Sequence, residues 1–128
     1  MPRFAPPVLR PVVWLGDTKR NVRAFPEGAQ KLIGDELQLL QFGGMPTDAK
    51  PFKDVGSGVV ELAIRYDTDA YRTVVALQLG KNLYALHAFQ KKSKTGIKTS
   101  RQDVEVIKRR YREAQELAKH EQKEAEGH

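Results

Sequence analysis

The sequence predicts a small α+β domain of element order β-α-α-β-β-β-α, with helices packed on one face of a curved antiparallel sheet that has a mixed edge. Three observations lead there. Apolar residues recur at helical spacing in Ala29, Leu32, Ile33, Leu37 and Leu40, and again in Val104, Ile107, Tyr111, Ala114 and Ala118. Three strand-like runs, 59–66, 70–79 and 83–90, are separated by only a few turn residues. A short β-branched and aromatic run, Val12 to Gly16, precedes them all.

Taken in order, the chain opens with an arm at 1–11, broken by Pro2, Pro6, Pro7 and Pro11. The run VVWLG then makes a first strand. Asp17 or Thr18 can cap a short helix that reaches Phe25. Pro26 and Glu27 suit the first turn of a second helix, where a missing N–H costs nothing and a carboxylate meets the dipole. Gly43-Gly44 ends that helix. The segment GGMPTDAKPFKDVGSG reads as a polar loop. Asp67 to Asp69 and Gly80 to Asn82 are short enough to join the three strands as hairpins. Ser100 is a good N-cap for a last helix, with Gln102 and Asp103 in its first turn. One domain at 12–119 therefore lies between the arm and a charged tail at 120–128.

Composition narrows the chemistry. With no cysteine among 128 residues there is no disulfide framework and no thiolate metal site. No apolar run approaches the length of a membrane span, and the N-terminus lacks the apolar core of a signal peptide. These features fit a cytoplasmic protein without a membrane partner. Gly56 to Gly58 lack the lysine and strand-to-helix context of a phosphate loop. His87, His120 and His128 are too scattered for a metal, so no metal and no cofactor are expected.

The net charge is +6 with a pI near 9.7, which favours polyanionic partners. Its distribution is more telling than its total. From Ala70 to Gln102 there is no acid, while Arg72, Lys81, Lys91, Lys92, Lys94, Lys98 and Arg101 give that segment +7.

Strand alternation places Arg65, Arg72, His87, Phe89 and Lys91 together on the side away from the helices, unless a bulge in either hairpin flips Arg72. Guanidinium groups grip phosphates bidentately, lysines add point charge, and Phe89 or Tyr71 can stack a base. Ser93 and Thr95 can donate to phosphate oxygens. Each residue also has an ordinary reading. The lysines suit a solvated loop, His87 a packed strand position, Phe89 the core, and Arg65 a surface pair with Glu61 or Asp67.

The stretches ELAIRYD, AYRTVVALQLGKNLYALHAFQKKSKTG and IKTSRQDVEVIKRRYREA resemble the RelE/ParE superfamily of toxins, and within it the HigB-like branch that has phage-derived members. The likeness runs from about Val12 to Ala118, and the element order derived above is that of the RelE-like fold. By position, Arg65 matches the basic residue of the family's ELR-type strand and Arg72 that of its YR strand. His87 matches the LH-x-F motif, and Phe89, Lys91, Lys92 and Ser93 match the strand end F-x-K-K-S.

The resemblance implies a toxin of a type II toxin–antitoxin system, acting as a metal-independent, ribosome-dependent endoribonuclease on mRNA. ParE-like poisoning of DNA gyrase and non-catalytic nucleic-acid binding are its alternatives. Implied partners are a HigA-like helix-turn-helix antitoxin, in a hetero-oligomer, and the ribosome with its message. In that reading Arg65, Arg72 and Lys91 stabilise charge on the phosphorane-like transition state, and His87 is the acid–base group. A lysine in so positive a neighbourhood has a lowered pKa and can substitute for His87. Phe89, Lys92, Ser93, Lys94, Lys98 and Arg101 bind RNA, and the products are a 2′,3′-cyclic phosphate and a 5′-hydroxyl. Some relatives end with a catalytic tyrosine or histidine; here that region holds Tyr111, on the apolar stripe, and the two late histidines.

Overall fold

The computed structural model describes residues 9–91 and 99–126, with side chains as far as Glu124. Along the chain run β1 (Val12–Trp14), α1 (Thr18–Arg23), α2 (Glu27–Gln41), β2 (Ala49–Pro51), β3 (Val59–Tyr66), β4 (Asp69–Leu79), β5 (Asn82–Lys91) and α3 (Arg101–Glu126). The strands form one sheet in the order β1-β5-β4-β3-β2. β1 lies parallel to β5 and the other neighbours are antiparallel, so the sheet is mixed only at that edge.

Local chemistry accounts for the boundaries. Asp67 and Thr68 both take left-handed φ, 53° and 73°, the backbone that matches strand twist in a two-residue hairpin. After α2, Gly43 has φ 90°; the Gly44 N–H donates to Leu39 O and the Gly43 N–H to Leu40 O, a Schellman ending. At the start of α3, Ser100 Oγ accepts from the Asp103 N–H at 3.1 Å and donates to Asp103 Oδ2 at 2.7 Å. Asp17 precedes α1 but makes no side-chain cap there. Residues 1–8 of the predicted arm lie outside the described residues; its end is docked, with the Arg10 guanidinium donating to Lys81 O and Asn82 O.

Two differences from the sequence reading matter. β2 falls inside the segment read as a loop; its three residues pair with Val60 to Leu62 without any apolar alternation to mark them. The helices also cover both faces of the sheet, not one. Val60, Leu62, Ile64, Tyr71 and Val75 pack against Val22 of α1 and Ala29, Ile33, Leu37 and Leu40 of α2. On the other face Val59, Val74, Ala76, Tyr84 and Leu86 pack against Ile107 and Ala114 of α3. Both faces are apolar over this part of the sheet, so each needs cover. Leu32, assigned to the buried stripe by its spacing, is 41% exposed.

α3 stays helical to Glu126, past the last residue of its apolar stripe, Ala118. A bulge interrupts β4–β5 where Val74 pairs with His87 but Val75 pairs with Ala85. Leu86 and His87 consequently share the α3 side of the sheet, and the alternation of β5 changes phase between them.

Candidate functional site

The register fixes three rows on the α3 side of the sheet. Glu61, Val74 and His87 form the first; Ala63, Arg72 and Phe89 the second; Arg65, Ala70 and Lys91 the third. Arg65, Arg72, His87, Phe89 and Lys91 therefore do share one face. The bulge lies on the far side of Val74, so Arg72 keeps the phase that simple alternation gives it. The face is not clear of helices, however. The start of α3 lies over the first row, where Asp103 meets His87 and Thr99 Oγ1 lies 3.4 Å from Glu61 Oε2.

Arg72 is the centre of the second row. Its Nη1 donates to Glu61 Oε1, with both side chains largely buried, while its Nε is buried without a hydrogen-bond partner among the described residues. Lys91 Nζ is likewise buried and unpartnered among the described residues. Burial lowers the Lys91 pKa from its ordinary 10.5, the Arg72 charge lowers it further, and Glu61 opposes both. Two adjacent cations thus share one carboxylate. An anion arriving there gains donors that the fold leaves unused.

His87, the acid–base group that the resemblance implies, is engaged at both ring nitrogens. Only 7% exposed, it has Nε2 at 2.8 Å from Asp103 Oδ1 and Nδ1 at 3.4 Å from Arg110 Nη1. Arg110 can only donate, so it meets Nδ1 as an acceptor, while Nε2 is directed at Asp103. Phe89 stacks on His87 with centroids 5.1 Å apart and packs against the core on the α3 side, so one of its ring faces is taken.

Behind His87 lies a hub that the sequence reading missed. Arg110, one of four basic residues between Lys108 and Arg112 of α3, is buried. It donates to Leu86 O at 3.0 Å and to Asp17 Oδ1 at 2.7 Å, and so joins α3, β5 and the start of α1. The hydrogen bond from Arg110, with its positive charge, holds the Asp17 carboxyl below its usual 3.8. Gly16, at φ 53°, leaves room for that guanidinium, since a Cβ there would lie 2.5 Å from Arg110 Nη2.

Arg65 is exposed and, with Arg72 and Lys50, lines a cleft of about 460 Å³ at the outer edge of β3. Leu32 and Glu36 of α2, Thr47, Asp48, Ala63, Ile64 and Ala70 complete its walls. Lys50 and the two carboxyl groups were not legible as site residues, because β2 and the exposed side of α2 bring them there. Arg101 stands exposed at the first position of α3. Lys92, Ser93, Lys94 and Lys98, predicted to bind RNA, lie outside the described residues. No group of three or more His, Cys, Asp or Glu that could hold a metal occurs among the described residues, and no described helix is long and apolar enough to cross a membrane.

Comparison with known proteins gives one result. The family described as "Phage derived protein Gp49-like (DUF891)" matches residues 20–112, which span β2 to β5, α2, the central rows and the hub residue Arg110. No curated protein and no solved structure matches. The match is to the family as a whole and not specifically to HigB. With well over half of its residues inside that match, the chain belongs to the phage-derived Gp49-like family.

Proposed function

We propose that this protein is the toxin of a type II toxin–antitoxin system and that it cleaves ribosome-bound mRNA without a metal. The observation that carries this reading is a pair of side-chain nitrogens, Arg72 Nε and Lys91 Nζ, buried and unpartnered among the described residues, beside exposed Arg65 on one sheet face. A phosphodiester entering there meets fixed positive charge in a partly dry site, which is where such charge stabilises a phosphorane-like transition state most.

The roles divide by environment. Arg72, held by Glu61, and Arg65 take the non-bridging oxygens. Lys91, whose proton is held loosely by burial and by Arg72, enters as the free amine, accepts the 2′-hydroxyl proton and, as the ammonium so formed, gives a proton to the departing 5′-oxygen. His87, with both ring nitrogens engaged, positions Phe89 and the start of α3 and does not transfer a proton. Phe89 and Arg101, with Lys92, Ser93, Lys94 and Lys98, contact the RNA strand. A cytoplasmic antitoxin of helix-turn-helix type with an acidic segment is the partner that such a surface suits.

Induced expression in a sensitive bacterium tests the reading, with primer extension on an abundant mRNA for wild type and Lys91→Met. Discrete cuts in frame with the codons that vanish in the variant are expected. Arrest with intact message would replace this reading by gyrase poisoning, and growth without arrest would leave a binding domain.

A further inference from the structure

We propose that the cleft at the edge of β3 is a nucleobase pocket that selects guanine next to the phosphate bound by Arg72 and Lys91. The proposal rests on the ribonuclease reading above and names the base that this site would accept.

The pocket exists because β2 stops early. It pairs with β3 only as far as Ala49 against Leu62, so among the described residues no strand lies beside the outer edge of Ala63 to Tyr66. α2 passes that edge from the other side, and the gap is the cleft of about 460 Å³. The space is far larger than one water needs and is of the size that holds a small planar ligand.

Its walls carry small, apolar, basic and acidic side chains. Ala63 and Ala70 alternate with Arg72 and Arg65 in neighbouring rows of the sheet, so two small side chains leave room between two guanidinium groups. Leu32 adds an apolar wall whose 41% exposure is otherwise unexplained. Lys50, Arg65 and Arg72 suit the phosphate end of a nucleotide.

Glu36 and Asp48 suit the other end. Glu36 Oε1 is buried without a hydrogen-bond partner among the described residues. Burial and the nearby Asp48 raise the Glu36 pKa above 4.5, so this carboxylate is short of donors. Single-stranded RNA is read through the Watson–Crick edges of splayed-out bases. On that edge guanine alone presents two adjacent N–H donors, N1–H and the N2 amino group, to a single carboxylate. Adenine and cytosine each set one amino group beside an acceptor, which a carboxylate repels, and uracil offers one N–H between two carbonyls. Two carboxylates and three cations lining one cleft therefore fit a guanylate.

The experiment titrates the isolated protein with the 3′-monophosphates of guanosine, adenosine, cytidine and uridine, followed by calorimetry and by amide and methyl NMR. Guanosine 3′-monophosphate is expected to bind about 10-fold or more tightly than the others. Its shift changes should centre on Leu32, Ala63 and Ala70. Glu36→Gln should abolish that preference while all four nucleotides keep the affinity that the phosphate provides, and Asp48→Asn should weaken it. Equal binding of all four, shifts centred elsewhere, or a preference that survives both variants would overturn the proposal. Neither ribosome nor cleavage enters this measurement, so its failure is separate from that of the ribonuclease reading. A protein that prefers guanosine 3′-monophosphate yet leaves message intact would keep the pocket and lose the enzyme.

Discussion

Glu61 of β3 and Arg72 of β4 are diagonal neighbours across the sheet, and they close into an ion pair whose side chains are only 7% and 15% exposed. The carboxylate holds the guanidinium at the middle of the candidate site, while Thr99, just before α3, touches its other oxygen. Removing one member of a buried pair leaves the other charged and desolvated. Glu61→Leu and Arg72→Met are each expected to cost about 3–5 kcal/mol of stability, and the double variant Glu61→Leu/Arg72→Met much less than their sum. Urea denaturation of the two singles and the double measures this. Additive costs would show that the pair is not a coupled unit, and any loss of toxicity in Arg72 variants must be read against the same curves.

Lys91 gives the opposite sign. Its pKa in the folded state lies below 10.5, so the folded chain releases this proton before the unfolded chain does. Its burial therefore opposes folding at neutral pH, and stability should rise as pH climbs through the folded pKa towards 10.5. Lys91→Met should stabilise the protein by about 1–3 kcal/mol at pH 7, with a gain that shrinks towards pH 10. The same variant should lose toxicity. A stabler, inactive protein would separate function from folding, whereas a destabilised Lys91→Met would mean that the amine has a partner in the fold.

The strands and helices were legible because hydrophobic period and turn chemistry specify them. Val59–Tyr66 has the predicted bounds, and β4 and β5 differ by one residue at one or both ends. The five-residue face was legible as well, because strand alternation survives as far as Val74. What sequence spacing could not supply is contact across elements. Arg110 reads as one more cation on a basic helix, yet it lies buried against Asp17, some ninety residues earlier. Its burial depends on the bulge at Leu86–His87 and on α3 covering a face that the alternation alone leaves open. Lys50 joins the cleft through a three-residue strand with no pattern of its own. The second core has the same origin, since a strand apolar on both faces does not say which helix covers which side.

The hub ties the site to acid stability. Asp17 has a folded pKa below 3.8 because Arg110 donates to it, so its contribution is present above pH 3.8 and is lost as pH falls through the folded value. Its carboxyl is partly solvated, which limits the effect of Asp17→Asn to about 1 kcal/mol at pH 7. That difference should disappear in strong acid. Gly16→Ala should act on the same guanidinium by pushing it from its place, with a larger loss and no pH dependence of this kind. In ¹H–¹⁵N spectra of both variants, changes are expected at His87 and Asp103, on the other side of the Arg110 guanidinium. Changes confined to α1 would show that Arg110 does not transmit between the two.

Glu36 provides a test of the cleft that needs no ligand. Burial and Asp48 raise its pKa above 4.5, so the folded chain holds this proton more tightly than the unfolded chain does. The group's contribution to stability is present below pH 4.5 and is lost as pH rises through the folded value. At neutral pH the ionised carboxylate is short of donors, and Glu36→Gln removes the charge but keeps the shape. Partial solvation screens the effect, so the variant should be the more stable protein at pH 7 by at most about 1 kcal/mol, and the two should converge below pH 4.5. Thermal unfolding at a series of pH values decides it. Equal stability at every pH would mean that the carboxylate is already satisfied, and the cleft would lose the unmet acceptor on which guanine selection depends.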